Sequence, residues 1–267
     1  MTKLRHVHRA RLYKLASLAF DRPDDELEDA LLSGTFEKQL LESAGALDNE
    51  ALEEHAAAVA EASPTDADEF DEYYSNWSAL FGFEAGGNIQ QYQIEYSPGT
   101  IVTSTDTLAD LSGFYKAFGL SMEDGNRERA DHLCIQLEFL SHLALQTAYL
   151  ENEDDDTGVE VVTDAQGSFL EDHLGRWTGR FRETLAEEAD VEFYRALAAL
   201  VDSLVADDTD RFGVEPKKFE ETPPSPLDGL NEGEGDFRCG TCGTTPSGST
   251  PSGPSAEMPM GNREGPY

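Results

Sequence analysis

Positive charge is scarce in this chain. Against 54 Asp and Glu residues the 267 positions hold 19 Lys and Arg, for a formal net charge of −35. A surface of that sign repels nucleic acid and anionic membranes, which excludes both as partners. Cysteine is scarce as well. The three present, Cys134, Cys239 and Cys242, cannot make a disulfide framework, which fits a reducing compartment. Long apolar runs are missing: none approaches the roughly 18 residues of a membrane span. Residues 1–20 carry Arg9, Arg11 and Lys14 among their apolar positions and so lack a signal-peptide core and cleavage site. The expected location is cytoplasmic. The acidity itself has two compatible readings. One is adaptation to high salt, where carboxylates keep the surface hydrated and their repulsion is screened. The other is a receptor for a basic peptide.

What is present is helical patterning up to about residue 215, followed by an abrupt change. From there Pro, Gly, Ser and Thr dominate ("ETPPSPLDGLNEGEGDFRCGTCGTTPSGSTPSGPSAEMPMGNREGPY"). Such a stretch buries too little apolar surface to offset chain entropy. The expectation is an all-α domain over 1–215 and a disordered tail over 216–267. Within the domain, Leu12, Leu15, Ala16 and Ala19 form one stripe of a helix over 4–20. "DRPDDELEDALLSG" restarts a helix, with Pro23 in its first turn and Gly34 at its stop. A third helical region spans 36–61, with a break near Gly45, and a fourth ends at Gly82. Residues 83–104 read as irregular. Further helices are expected over 105–118, 129–151, 165–189 and 191–205, and "GVEVVT" is the one strand-like run.

The stretch "ERADHLCIQLEFLSHLALQ" concentrates the polar groups of interest. Leu133, Leu137, Leu140 and Ala144 form a stripe widened by Ile135, Phe139 and Leu143, the pattern of a central buried helix. Asp131 lies near its first turn, where a carboxylate suits the positive helix end; capping explains Asp131 but not His132. Glu138 and His142 are one turn apart and would ligate a metal only if other segments supplied more ligands. A di-iron bundle would need Glu-x-x-His from two helices, and this chain has no such motif. Trp77, Leu80 and Phe81 share a face in "WSALFG", read either as core packing or as an apolar groove for a partner segment. "CGTC" offers two thiolates where zinc needs four ligands. "GFEAGG" lacks the strand–helix setting of a phosphate loop.

Taken together, "RLYKLASLAFDRPDDEL", "WSALFG", "YKAFGL" and "ERADHLCIQLEFLSHL" resemble, in order, segments of the TorD/DmsD/NarJ family of molybdoenzyme maturation chaperones. Arg129 stands where that family's loop often has proline, and the tail falls outside the resemblance. The resemblance implies an all-α cytoplasmic chaperone, not an enzyme, requiring no cofactor. It would bind the twin-arginine leader or N-terminal region of an apo molybdopterin oxidoreductase until cofactor insertion and folding are complete. A leader of two guanidinium groups and an apolar stretch calls for carboxylates beside an apolar groove. Asp131 and its acidic neighbours are expected to meet the arginines, with His132 donating to a peptide carbonyl or orienting Asp131. Trp77, Leu80 and Phe81 are expected to line the groove, with Tyr13 and Tyr92 or Tyr96 in its wall. The protein would be a monomer or homodimer. The competing classes are a metal-dependent enzyme using Asp131, Glu138 and His142, and an assembly factor that binds mature domains instead of leaders.

Overall fold

The computed structural model describes residues 3–82, 87–98, 101–121 and 128–219. The chain divides into a unit of Met1–Pro223 and a second of Pro224–Tyr267. The second unit, with Cys239 and Cys242 and most of the tail expected to be disordered, lies outside the described residues. Among the described residues eleven α-helices follow one another. The only other regular features there are a 3-10 turn at Leu174–Arg176 and one isolated antiparallel bridge between Tyr92 and His132. The domain is all-α, as its periodicity predicts.

Acidic and amide caps set the helix starts. Helix α1 (Lys3–Phe20) ends at Asp21, and α2 (Asp25–Leu32) begins where Asp24 accepts from the Leu27 N–H at 2.9 Å. Pro23 thus precedes the cap and is not part of the first turn. Gly34 takes φ +70°, a left-handed value that glycine adopts without a Cβ penalty, and separates α2 from α3 (Thr35–Gly45). The break expected near Gly45 is real: α4 (Glu50–Glu61) restarts behind an Asn49 cap. Asp66 caps α5 (Ala67–Phe81). A one-turn helix α6 (Gln93–Tyr96) interrupts the irregular stretch, and α7 (Ile101–Ala117) starts four residues before the expected Thr105. The "GVEVVT" run is not a strand. It belongs to α9 (Asp156–Asp172), where Asp155 accepts from Gly158 N–H and Val162 is buried, so capping and packing override the β-branched propensity. After the 3-10 turn come α10 (Thr178–Glu188) and α11 (Glu192–Phe212), which Gly213 closes at φ +67°.

The apolar stripes converge on α8 (Leu133–Asn152). Helix α1 runs antiparallel along it: Ser17 Oγ donates to Cys134 O at 3.2 Å and Ser141 Oγ to Ala10 O at 2.8 Å. Leu12, Ala16 and Ala19 from α1 and Leu137, Leu140 and Leu143 from α8 are sealed from solvent, and α9 covers another side of α8. Helix α11 packs on α4, α9 and α10. Beyond it, Phe219 is buried, its N–H donating to Arg176 O at 2.9 Å, so the packed chain continues past residue 215.

An ion-pair cluster is sunk in this core, with Arg9 and Arg211 both on Asp208. Arg9, wholly buried, donates through Nε to Asp208 at 2.7 Å and through Nη2 at 2.6 Å. Tyr13 adds its hydroxyl to the same carboxylate at 2.8 Å, and Gln166 accepts from Arg9 at 2.9 Å. Removing one partner strands a buried charge, which costs about 3–5 kcal/mol. Asp208→Ala is therefore expected to lose about that much in denaturant titration. Arg9→Met with Asp208→Leu should recover most of the loss, because neither charge is then left behind.

Three histidines, His6, His132 and His173, are also buried. Burial is the leading cause that lowers each below the ordinary 6.5, and nearby carboxylates only partly offset it. Their partners agree with neutral rings: Nδ1 of His6 faces Arg9 Nη1 at 3.1 Å, and Nδ1 of His132 accepts from the Cys134 N–H at 3.3 Å. Each ring binds a proton more readily in the unfolded chain, so stability is complete above about pH 6.5 and declines as pH falls toward the lower folded values. The midpoint of denaturation should drop between pH 7.5 and 5.5. His132→Asn, which keeps a good N-cap acceptor without a titrating ring, should flatten that slope. An unaltered slope would assign the proton uptake to other groups.

Candidate functional site

The last carbonyls of a helix have no partner within it. At the end of α1 those of Ala19 and Phe20 take side-chain donors from distant segments. Tyr73 Oη donates to Ala19 O at 2.8 Å, while Trp77 Nε1 and Gln91 Nε2 each donate to Phe20 O at 3.0 Å. Helix α5 and the 89–93 segment are thereby anchored to one point. Aromatic edges reinforce it: Phe81 meets Tyr194 edge-on at 5.2 Å and Phe20 at 6.1 Å. Past α5, Gly87 N–H donates to Gly82 O at 2.9 Å and Ile89 N–H to Leu80 O at 3.1 Å. A Cβ on Gly87 would stand 2.7 Å from Leu80 O, and one on Gly82 2.5 Å from Ser78 O, so both positions require glycine.

The 89–93 segment is stitched to the start of α8. Leu133 N–H donates to Gln91 O at 2.8 Å and Gln93 N–H to Asp131 O at 3.1 Å, flanking the Tyr92–His132 bridge. His132, not Asp131, is the N-cap of α8, and the residues expected to open that helix form the turn ahead of it. This answers why a histidine follows the aspartate: its ring nitrogen supplies the acceptor that an N-cap needs.

Between these elements lies a cleft of about 350 Å³. Its lining includes the apolar Trp77, Phe81 and Ile89 and the polar Tyr92, Glu128 and His132. Tyr92 packs edge-on against His132 with centroids 5.0 Å apart and donates its hydroxyl to Glu128, whose carboxylate lies 3.8 Å from His132 Nε2. Burial lowers the affinity of His132 for a proton, against the pull of Glu128, Asp21 and Asp131. The neutral ring, its Nδ1 engaged by Cys134 N–H, keeps its proton on Nε2, toward Glu128.

The anticipated residues separate into groups. Trp77, Phe81, Tyr92 and His132 meet in the cleft. Leu80 is half-buried against the core and is not in its lining. Tyr13 is sealed in the core on Asp208, and Tyr96 is stacked on Trp177 at 5.3 Å with its hydroxyl on Gln90 O, so neither forms a wall. Asp131 has no exposed surface. Its carboxylate receives Arg129 Nε and Nη2, both at 2.9 Å, and Ile94 N–H at 3.1 Å. Glu128, Ile89 and the two glycines were not singled out from the sequence, although "ERADH" and "GFEAGG" contain three of them.

The proposed metal triad does not assemble. Asp131 is closed on Arg129, Glu138 pairs with Lys14, and Glu138 and His142 border a different cavity with Ile135 and Phe139. Among the described residues no group of three or more His, Cys, Asp or Glu side chains is placed to hold a metal. No described helix is long and apolar enough to cross a membrane.

Comparison with known proteins places this geometry. The family model described as nitrate reductase delta subunit matches residues 44–183, more than half of the chain. A chlorate reductase assembly chaperone of Ideonella dechloratans is 31% identical over 140 residues, 52% of this chain and 70% of the relative. A selenate reductase assembly chaperone of Thauera selenatis is 31% identical over 129 residues, 46% of this chain and 65% of the relative. The TorD chaperone of Vibrio cholerae is 32% identical over 92 residues, 34% of this chain and 40% of the relative. Helices α4 to α9, with the cleft between them, fall inside the matched family region, and on that basis the chain belongs to the nitrate reductase delta subunit family, the TorD/DmsD/NarJ-like chaperones of molybdoenzyme assembly.

Proposed function

We propose that the protein binds the leader segment of a molybdopterin oxidoreductase, in the cleft between α5 and the start of α8, and masks it until the enzyme is complete. The observation that carries this reading is the meeting of apolar residues (Trp77, Phe81, Ile89) with polar ones (Tyr92, Glu128, His132) in the lining of one cleft. A volume of about 350 Å³ is at the small end of the range for ligand pockets. It suits a side chain or two of an extended segment, with the rest of the leader lying over the rim. Relatives named for the assembly of chlorate and selenate reductases support a client among the oxyanion reductases.

The chemistry needed is recognition, without a covalent step. The Glu128 carboxylate and the charge of Asp21 near His132 favour a guanidinium there. Asp131, fully engaged with Arg129 and Ile94, supports the loop from behind. The neutral His132 has its Nε2 proton for a carbonyl of the guest. The Trp77 indole, its N–H tied to Phe20 O, offers a face that is already oriented, so little entropy is lost on binding.

A fluorescent peptide of two adjacent arginines followed by a leucine-rich stretch tests the reading by titration against the full chain. Trp77→Ala is expected to weaken binding by about tenfold or more, as loss of a central aromatic anchor does, while the far-UV helical signal persists. Affinity should survive molar salt, because charge contacts are screened there and apolar contacts are not. Equal affinity for Trp77→Ala and the parent would take the cleft out of leader binding. Preference for the folded enzyme over the peptide would replace leader binding with recognition of mature domains.

A further inference from the structure

Beside the cleft the chain holds one of its own arginines in a fitted box. Arg129 forks onto Asp131, with Nε and Nη2 each at 2.9 Å from a different carboxylate oxygen. The same guanidinium lies 3.4 Å from Glu95 Oε1 and sits over the Tyr92 ring at 4.3 Å from its centroid. A carboxylate met in fork geometry, a second carboxylate beside it and an aromatic face suit a guanidinium, and an ammonium fills such a site poorly. Asp131 is fully buried, whereas the Arg129 side chain is 41% exposed. The acceptor is thus rigid and built in, and its occupant is at the surface. Tyr92 belongs to both the box and the cleft.

The backbone of the loop does not depend on this side chain. His132 N–H donates to Arg129 O at 3.0 Å, and Asp131 O accepts from Gln93 N–H at 3.1 Å and from Gln136 Nε2 at 3.0 Å. Tyr115 Oη holds Ala130 O at 2.8 Å. These backbone bonds remain when the guanidinium leaves, and the buried Asp131 charge it leaves behind then calls for another cation.

We propose that Arg129 is an internal stand-in for a guest arginine, and that a client arginine displaces it from the Asp131–Glu95–Tyr92 box. The proposal rests on the leader-binding reading above and adds its regulation. An occupied box lowers apparent affinity by the fraction of molecules in which it is vacant, so removing the occupant strengthens binding. It also explains how Asp131 can be both satisfied in the free protein and available to a client.

The two-arginine peptide described above is titrated against the full parent chain, Arg129→Ala, Arg129→Lys and the double variant Arg129→Ala/Asp131→Asn. The expected result is binding about fivefold or more tighter to Arg129→Ala, a smaller gain for Arg129→Lys, which keeps charge near Asp131 but cannot fork, and no gain for the double variant. Independently of the peptide, methylguanidine at millimolar concentration should raise the melting temperature of Arg129→Ala above that in equimolar methylammonium, and leave the parent and the double variant unmoved. Equal or weaker peptide binding by Arg129→Ala and Arg129→Lys, with the parent binding, overturns the stand-in while leaving leader binding intact. Peptide binding by no variant overturns both. Methylguanidine that stabilises all variants alike also removes the box.

Discussion

The carbonyl end of α1 organises the cleft between α5 and the start of α8. A helix that stops inside a protein leaves acceptors that water cannot reach, and each unsatisfied group is costly. Here Tyr73, Trp77 and Gln91 supply the missing donors on Ala19 and Phe20. Residues far apart in sequence are thereby drawn to one place, and the aromatic side of the cleft is oriented by the same bonds that complete the helix. A change in Trp77 therefore bears on both the anchoring and the surface offered to a guest, which is why its helical signal and its affinity have to be read together. The glycines at 82 and 87 complete the arrangement, since a Cβ on either would meet backbone of α5.

Charge works on two scales. The net charge of −35 sets a long-range field that draws any basic segment and, once salt screens it, discriminates little. Selectivity must then come from contacts at bonding distance: a forked carboxylate, an aromatic face, a ring N–H. Two described arginines make such forked contacts, Arg9 on Asp208 in the core and Arg129 on Asp131 beside the cleft. Both forks end on a carboxylate with no exposed surface. They differ in the cation: Arg9 is sealed with its partner, and Arg129 is at the surface. The first is a structural pair, whereas the second has the form of a binding site with an occupant.

Much of the fold was legible because long amphipathic helices announce themselves. The stripes through Leu12 and Ala16, and through Leu137 and Leu140, are buried as their spacing requires. Boundaries were less legible: Pro23, expected in the first turn of α2, precedes its Asp24 cap, and the break near Gly45 did not reveal the restart of α4 behind Asn49. "GVEVVT" misled because β-branched composition is a weak preference that the Asp155 cap and the α8 contact outweigh. The site was legible only in part. Family resemblance brought Trp77, Phe81 and His132 forward, but helical spacing cannot tell an aromatic that faces a cleft from one that faces the core, and Tyr13 and Tyr96 are of the second kind. The roles of Asp131 and His132 were exchanged for a related reason. Propensity favours Asp as a cap, and only the bridge to Tyr92 shows that the helix begins one residue later.

That bridge gives His132 two duties that cannot be separated. Its Nδ1 must stay unprotonated to accept from Cys134 N–H and start α8, and its Nε2 then carries the one proton of the neutral ring. Charging the ring would convert the cap acceptor into a donor facing another donor, so the first turn of α8 and the 91–93 stitch would loosen together. Acid therefore acts on the fold at the place where a guest would be held, and the pH at which the domain weakens is tied to the pH at which its cleft loses shape. Glu128 and Asp21 limit the effect without reversing it, since burial remains the dominant influence on the ring. A cleft wall built on the first turn of a helix whose apolar face is sealed in the core gains rigidity from that core and becomes sensitive to whatever disturbs that helix's first hydrogen bond.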